Sequence, residues 1–389
     1  MRDSKDISIY VHIPFCVRKC LYCDFNSGKY PDYIISSYID ALLKEIDRCR
    51  EVFRGRELAS LYIGGGTPSS VPPSYIGLVF DRISDVITIE DDTEITMEIN
   101  PGTTTDQKIK DYVSYGVNRI SIGLQSALNS ELEALGRIHT FEDFLRTYDI
   151  VREKGIEKVN VDIMTSIPHQ SRESLIKTLD KVTSLRPEHI SAYSLIIEKG
   201  TPFYERGAEK LGVPSEEESF KIYKLTQKYL KEHGYERYEI SNYALKDKNG
   251  SRDNRCANNL RYWDRKDYIG FGASAASLIG YRRFTNVPEL GIYIRDPGRH
   301  KSEDMLLQPK DAMAEFMFLG LRKIEGIRCD DFREEFGVRI QEVYGGIMKK
   351  HVEAGLAQFS GENDDPGQRF YLTDRGLDIS NQIMAEYLF

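Results

Sequence analysis

The sequence contains no long hydrophobic run. No stretch of about 18 residues is apolar and free of charge, which is about the length a membrane-spanning helix needs. Residues 1–8 are mostly polar, so no apolar segment there indicates a signal peptide. Positive charge is also scarce, since 53 Lys and Arg oppose 61 Asp and Glu, a net charge of −8. We expect a cytoplasmic protein that is neither an integral membrane protein nor a partner of nucleic acid.

Cysteine is scarce as well. Six cysteines among 389 residues are too few for a disulfide scaffold. In a reducing compartment, cysteines that lie close together in the chain more often bind a metal than pair as disulfides. The length predicts two or three domains.

The first two hundred residues alternate short β-rich runs with amphipathic helical patterns. The predicted strands are Ser8–Pro14, Ala59–Gly65, Glu94–Ile99, Asn118–Gln125, Lys158–Ile167 and His189–Ile197. The predicted helices are Tyr38–Phe53, Tyr75–Val86, Asp106–Tyr115, Phe141–Lys154 and Ser171–Leu185. This alternation predicts an α/β fold with a parallel sheet. Six strands are fewer than a complete barrel needs, so either an incomplete barrel or an open doubly wound sheet fits, with ligands at the carboxyl ends of the strands.

The pattern changes after Gly200. A polar helix (Ser215–His233) is followed by β-like segments, and a charged stretch around Asp296–Asp304 indicates a linker. Beyond it, helical patterns and a hairpin pattern (Gly355–Leu372) resemble a winged helix. We expect three parts: a barrel over residues 1–235, an extension over 236–300, and a smaller α+β domain over 301–389.

Three cysteines form a Cys-x3-Cys-x2-Cys motif in the loop after the first predicted strand: Cys16, Cys20 and Cys23. Thiolates favour iron–sulfur clusters or zinc. A 4Fe–4S cluster held by three cysteines leaves one iron open, whereas structural zinc needs a fourth ligand, for which His12 is a candidate. Incidental clustering of the thiols is the third alternative.

Further polar and glycine-rich positions follow the other predicted strands. Gly64-Gly65-Gly66-Thr67-Pro68 lets the backbone approach a ligand closely, but lacks the Gly-Lys-Ser/Thr of a phosphate-binding loop. Polar side chains at or just beyond later strand ends are Glu98, Asn100, Gln125, Arg137 and Asp162. Asp162 lies between two apolar residues and therefore needs a polar partner.

The cysteine motif, with Tyr22 before its last cysteine, resembles the signature of radical S-adenosylmethionine (SAM) enzymes. In that family the open iron binds the amino and carboxylate groups of SAM, and one electron from the cluster cleaves SAM to a 5′-deoxyadenosyl radical. The glycine run resembles the family motif that holds the methionine amino group of SAM. The resemblance implies an incomplete, three-quarter, six-stranded β/α barrel of radical SAM type.

A longer set of motifs resembles the oxygen-independent coproporphyrinogen III oxidase family. These motifs are residues 10–16 (YVHIPFC), 121–125 (SIGLQ), 200–202 (GTP) and 238–241 (YEIS). Residues 23–27 (CDFNS), 259–263 (NLRYW) and 318–322 (FLGLR) resemble the heme chaperone branch, HemW. Oxidases carry a further cysteine where Phe25 stands here, so the resemblance favours a heme chaperone over an oxidase.

The resemblance implies a set of site residues. Cys16, Cys20 and Cys23 would hold the cluster. Contacts to the cluster-bound SAM would come from Tyr10, Tyr22, Gly65 and Glu98. Positions that contact a second SAM in the oxidases are Gly66, Thr67, Gln125, Arg137 and Asp162.

The resemblance also implies partners. They are heme or another tetrapyrrole, an electron donor for the cluster, and client heme proteins of the respiratory chain. The alternative function is a radical SAM enzyme that decarboxylates or alkylates a tetrapyrrole.

Two positions depart from the chaperone pattern. The branch usually has His-Asn-x-x-Tyr-Trp, whose histidine is implicated in heme binding, and that histidine is Asn258 here. A second common histidine is Ala276 here. Cys256 is either a thiolate ligand for heme or a free cysteine, and Trp263 either stacks on a macrocycle or packs in the core.

Overall fold

A computed structural model describes residues 5–247, 249–250, 252–361 and 365–388. Its first half is an incomplete parallel β/α barrel, which confirms the predicted fold class. The six barrel strands are β1 (Asp6–Ile13), β2 (Glu57–Gly65), β3 (Glu94–Ile99), β4 (Arg119–Gln125), β5 (Lys158–Thr165) and β6 (His189–Ser194). The helices between them are α1 (Asp32–Arg48), α2 (Pro73–Ser84), α3 (Asp106–Ser114), α4 (Asn129–Ala134), α5 (Phe141–Glu153) and α6 (Arg172–Ser184).

Local sequence explains where these elements begin and end. Helix α5 begins at a capping box in which Thr140 and Asp143 exchange side-chain and backbone hydrogen bonds. Strand β5 ends before the predicted Ile167 because Ser166 adopts a positive φ of 57°. Helix α1 begins earlier than predicted and ends at Arg48, where a short 3-10 turn follows.

The barrel strands lie in chain order, each parallel to the next, within a 12-stranded sheet. The later part of the chain contributes α7 (Pro202–Arg206), α8 (Ala208–Leu211), α9 (Glu216–Glu232), β7 (Tyr235–Arg237), β8 (Asn242–Leu245), α10 (Ala257–Trp263), β9 (Tyr268–Phe271), β10 (Ala276–Ile279), β11 (Arg282–Asn286), α11 (Leu290–Arg295) and β12 (Lys301–Leu306). Strand β9 pairs with β1 in parallel, and β8 pairs with β6 antiparallel. Both edges of the six-stranded barrel are therefore covered by the segment that follows it.

Glu45 on α1 connects the barrel to the segment that follows it, the extension predicted over residues 236–300. Its buried carboxylate accepts hydrogen bonds from the Gly272 amide (2.9 Å), the Asn286 side chain (2.7 Å) and the Tyr293 hydroxyl (2.6 Å). Burial raises the pKa of Glu45 above its usual range, although the three donors oppose that rise. A buried carboxylate with this many donors fixes the segment against the sheet.

The C-terminal domain has the element order of a winged helix. It contains α12 (Pro309–Gly320), β13 (Ile327–Arg328), α13 (Cys329–Phe336), α14 (Ile340–Glu353), β14 (Ala357–Phe359), β15 (Arg369–Leu372), α15 (Asp374–Asp378) and α16 (Ser380–Ala385). It has its own apolar core, in which Phe332 and Phe370 are fully buried. Arg265 of the extension pairs with Glu315 (3.1 Å) and Glu335 (2.7 Å) of this domain. The division into 1–235, 236–300 and 301–389 stays a prediction.

None of the helices in the described ranges is both long enough and apolar enough to cross a bilayer.

Replacing Glu45 should destabilise the protein. Glu45→Ala leaves three buried donors without their acceptor, so we expect the free energy of unfolding to fall by about 3 kcal/mol. Urea-induced unfolding measures this change. Lys44→Ala, at an exposed position of the same helix, is the control and should change the free energy by less than about 0.5 kcal/mol. Equal effects of the two substitutions would contradict the role given to Glu45.

Candidate cofactor site at the carboxyl ends of the barrel strands

The three motif cysteines lie on a loop whose two ends are joined directly after β1. The Cys16 amide donates to the Gly28 carbonyl (2.8 Å), and the Gly28 amide donates to the Pro14 carbonyl (2.9 Å). Within the loop, the Cys23 amide donates to the Cys20 carbonyl (3.3 Å). We call residues 16–28 the cysteine loop. All three cysteines are partly exposed and line one cavity of about 470 Å³.

The donor set fits an iron–sulfur cluster better than zinc. His12, the candidate fourth zinc ligand, uses both ring nitrogens elsewhere: Nδ1 with the Tyr10 hydroxyl and Nε2 with the Asn26 carbonyl, each at 3.0 Å. In the described ranges, no three His, Cys, Asp or Glu side chains lie close enough together to hold a single metal ion. The site thus offers three soft thiol donors on one loop and no fourth protein ligand, which suits a cluster with one open iron.

Residues 64–68 at the end of β2, which we call the glycine turn, pack against the cysteine loop. The Gly66 amide donates to Ile13 and the Thr67 amide to Phe15, each at 2.8 Å. Gly65 has a φ of 115°, and a Cβ there would lie 2.7 Å from the His12 ring. A Cβ on Gly66 would lie 2.8 Å from the Phe15 carbonyl oxygen. Only glycine fits this close approach, which explains why the sequence has a glycine run here.

Glu98 at the end of β3 faces the same turn. Its Oε2 accepts from the Gly65 amide (3.0 Å), and its Oε1 accepts from the Tyr62 hydroxyl (2.8 Å). Burial raises the pKa of the Glu98 carboxyl to about 7. Glu98, Gly65 and Tyr22 line the cavity. Tyr10 is not among the lining residues, because it stacks behind Tyr62 with ring centroids 6.2 Å apart.

Arg137 links two of the cysteines through partly buried hydrogen bonds. Its guanidinium donates to the Cys20 sulfur (3.5 Å), to the Asn100 side chain (2.6 Å) and to the Gly123 carbonyl. Asn100 in turn donates to the Thr67 hydroxyl (2.6 Å), and that hydroxyl lies 3.6 Å from the Cys16 sulfur. The cysteine loop, the glycine turn and strands β3 and β4 thus share one polar network.

Gln125 and Asp162 lie on neighbouring strands and line the cavity with Gly66 and Thr67. Gln125 has a φ of 73°, and the pairing of β4 with β5 shifts register beside it. The Asp162 carboxylate accepts from the Ser121 hydroxyl (3.0 Å) and the Asn160 amide (2.8 Å). Burial raises the pKa of Asp162, while these hydrogen bonds oppose the rise. The partners that Asp162 needs are therefore side chains of the barrel itself.

Sequence reasoning missed several cavity residues. Arg119 and His189, the first residues of β4 and β6, line the cavity. The His189 ring bonds to Asn160 (2.6 Å) and to the Tyr238 hydroxyl (2.8 Å). They were missed because the rule that places ligands at carboxyl ends does not point to the first residue of a strand. The cavity therefore extends along the barrel interior from the cysteine loop toward the amino ends.

The segment expected to bind heme is packed into the protein. Asn258 is 2% exposed, and its side-chain oxygen accepts from Ser60 (3.2 Å). Burial raises the pKa of Cys256 to about 11, and that thiol is 3% exposed. The Arg322 guanidinium lies 4.3 Å from the centre of the Trp263 ring. The buried, protonated Cys256 thiol is therefore poorly suited to be a thiolate ligand for heme. Trp263 packs against Arg322.

Comparisons with known proteins agree with this geometry. Residues 10–182 match the model of the Radical SAM superfamily, and residues 307–379 match the HemN C-terminal domain. The coproporphyrinogen III oxidase HemN from Escherichia coli, a solved structure, superposes with a TM-score of 0.83 at 22% identity over 99% of this chain and 90% of that chain. At this identity the likeness shows the fold alone.

Two curated relatives are similar over nearly their whole length. The heme chaperone HemW of Lactococcus lactis is 31% identical, covering 99% of this chain and 98% of the relative. The heme chaperone HemW of Bacillus subtilis is 32% identical, covering 98% and 99%. The Radical SAM match implies a 4Fe–4S cluster and SAM as cofactors, and the three-thiol loop suits them. The chain therefore belongs to the HemW family of the radical SAM superfamily.

Proposed function

We propose that this protein is a heme chaperone that binds heme and transfers it to other heme proteins. The observation that carries the proposal is its similarity, over 98–99% of the chain, to relatives that are named heme chaperones. Phe25, 58% exposed on the cysteine loop, supports it, because the resembling oxidases have a further cysteine at this position.

The cofactor site has assigned residues in this proposal. Cys16, Cys20 and Cys23 would hold the cluster, which with SAM would supply one-electron redox chemistry. Tyr22, Gly65 and Glu98 would contact the cluster-bound SAM. Tyr10 does not line the cavity. It would act indirectly, because its hydroxyl hydrogen-bonds to His12, and the His12 ring packs against Gly65.

A second SAM has candidate contacts in the same cavity. They are the five residues matched to the oxidases: Gly66, Thr67, Gln125, Arg137 and Asp162. Arg137 and Asp162 already bond to neighbouring side chains and backbone, so a second ligand here would join an existing polar network rather than fill an apolar pocket.

The proposal also covers the partners of the protein and its cellular compartment. Clients would be heme proteins of the respiratory chain, an electron donor would reduce the cluster, and the protein would work in the cytoplasm. The reducing cytoplasm would keep the three cluster thiols available as ligands.

A radical SAM enzyme acting on a tetrapyrrole is the second candidate. It is favoured by the cavity, which retains Glu98, Arg137 and Asp162 beside the cysteine loop. Formation of 5′-deoxyadenosine from SAM, with and without coproporphyrinogen III, separates the two functions. An enzyme of this kind should form more of it when the tetrapyrrole is present.

Heme titration tests the chaperone proposal directly. We expect saturable binding to the cluster-loaded wild type, followed by a change in the Soret band, and transfer of bound heme to an apo-protein acceptor. Cys256→Ala should leave the heme affinity unchanged, because that thiol is buried and its pKa lies near 11. Binding that does not saturate would contradict the proposal, and loss of binding in Cys256→Ala would contradict the position given to this thiol.

Glu98→Gln should weaken SAM binding and remove part of its pH dependence. The wild-type carboxyl, whose pKa lies near 7, is ionised above that pH and then attracts the cationic SAM. We therefore expect wild-type affinity to fall as the pH drops below about 7. At pH 8, Glu98→Gln should bind SAM about tenfold more weakly, because the neutral amide oxygen accepts a weaker hydrogen bond than the carboxylate and no longer attracts the cation.

Anaerobic equilibrium binding of SAM between pH 6 and 8 measures both effects. Glu51→Gln, at a side chain that is 83% exposed, is the control and should match the wild type at every pH. Parallel pH curves for the wild type and Glu98→Gln would show that Glu98 does not bind SAM as proposed.

A further inference from the structure

Several exposed apolar side chains line the cavity. Large side chains that both line the cavity and are between 42% and 68% exposed are Val17, Phe25, Ile138, Tyr193 and Ile196. We call these residues the apolar rim. Exposed apolar groups that gather at one place on a protein usually mark a binding surface.

The rim is assembled from three separate parts of the barrel. Val17 and Phe25 belong to the cysteine loop after β1, Ile138 follows α4, and Tyr193 and Ile196 lie at the end of β6. Ile138 is flanked by Arg137 and by the buried His139, and burial lowers the pKa of His139 to about 3. Three loops that each expose an apolar residue toward one opening point to a common ligand.

Charge around the rim is uneven. On the side of the cysteine loop, Arg18 and Lys19 outnumber Asp24, and the Lys19 ammonium donates to the Phe25 carbonyl at 2.8 Å. On the side of β6, the charged lining residue is Glu198. A ligand with broad apolar faces and carboxylates along one edge matches this pattern when its carboxylates face Arg18 and Lys19.

The α10 segment reaches the same cavity but exposes less of it. Cys256 and Asn259 line the cavity, whereas Asn258 and Cys256 are at most 3% exposed, so a large ligand reaches them only if the surrounding structure opens. By contrast, the rim is open to solvent.

We propose that the apolar rim is the surface on which this protein binds heme, with the carboxylate edge of the macrocycle toward Arg18 and Lys19. The inference rests on the proposed function and assigns its binding surface. Heme would then lie across the mouth of the cofactor cavity rather than against α10.

Heme titrations of matched surface variants test the inference. Ile196→Glu places a charge on the rim and should raise the dissociation constant for heme about tenfold, because one apolar contact is lost. Leu306→Glu is the control: Leu306 is 71% exposed on the distant strand β12, compared with 68% for Ile196, and its heme affinity should stay at the wild-type value. Both variants should keep wild-type iron content and unfolding temperature, since both positions are exposed.

Two further variants make the result independent of one position. Ile138→Glu should weaken heme binding as Ile196→Glu does, although it lies on a different loop. Arg18→Glu should weaken binding more at low salt than at high salt, because its contribution is electrostatic and screened.

The outcomes separate this inference from the proposed function. Saturable heme binding in the wild type together with wild-type affinity in Ile196→Glu and Ile138→Glu would overturn the rim and leave the function standing. No saturable binding in the wild type would remove the function and the rim with it. If Ile196→Glu and Ile138→Glu lost binding to a client protein but kept the wild-type affinity for heme, the rim would bind protein rather than heme. This result also overturns the inference.

Discussion

The closed cysteine loop is the constraint on which the site depends. Hydrogen bonds between Cys16, Gly28 and Pro14 join the ends of the loop directly to β1. The three thiols are thereby presented at the carboxyl ends of the barrel strands, where the glycine turn and Glu98 already lie. A cluster held by three thiolates has one iron without a protein ligand, and in the proposed function the residues around it would contact the SAM that chelates this iron.

Buried polar groups fill the barrel interior instead of an apolar core. Arg137 joins the Cys20 sulfur to Asn100, and Asp162 is held by Ser121 and Asn160. Buried charges are costly unless they are paired and hydrogen-bonded, and here they are connected across β3, β4 and β5. Such a network lines the depth of the cavity with polar groups. The opening of the cavity combines the apolar rim with the charged side chains of Arg18, Lys19, Asp24 and Glu198.

The sequence predicted the periodic parts of the fold well. Strands β3 and β4 and helix α3 lie within one residue of their expected limits, because continuous apolar strands and amphipathic helices have strong periodic signals. The β6 strand ends three residues before the expected Ile197, where the chain turns outward to expose Ile196. The pairing of β9 with β1 and of β8 with β6 was not predictable from local pattern, since it joins residues far apart in the chain.

The site was predictable where chemistry is concentrated in short motifs. The cysteine motif gave a specific signal, whereas the glycine run was a weak signal that became strong only beside the cysteine motif. The structure brings the two into contact. Tyr10 lies behind Tyr62 rather than in the cavity wall, because it pairs with Tyr62 across β1 and β2 and its ring stacks on the Tyr62 ring, a cross-strand contact that the motif does not show. Arg119, His189, Ile138, Tyr193 and Ile196 lie in no motif, and the motifs that contain Val17 and Phe25 do not show that these two share a surface with the others. They become visible only when separate strands and loops are assembled.

Electron paramagnetic resonance of the anaerobically reconstituted, reduced protein tests the central claim most directly. The account predicts a four-iron signal that changes when SAM is added, because SAM binds the iron that the three cysteines leave open. A protein that retains zinc without acid-labile sulfide, or a four-iron signal that SAM does not alter, would contradict it.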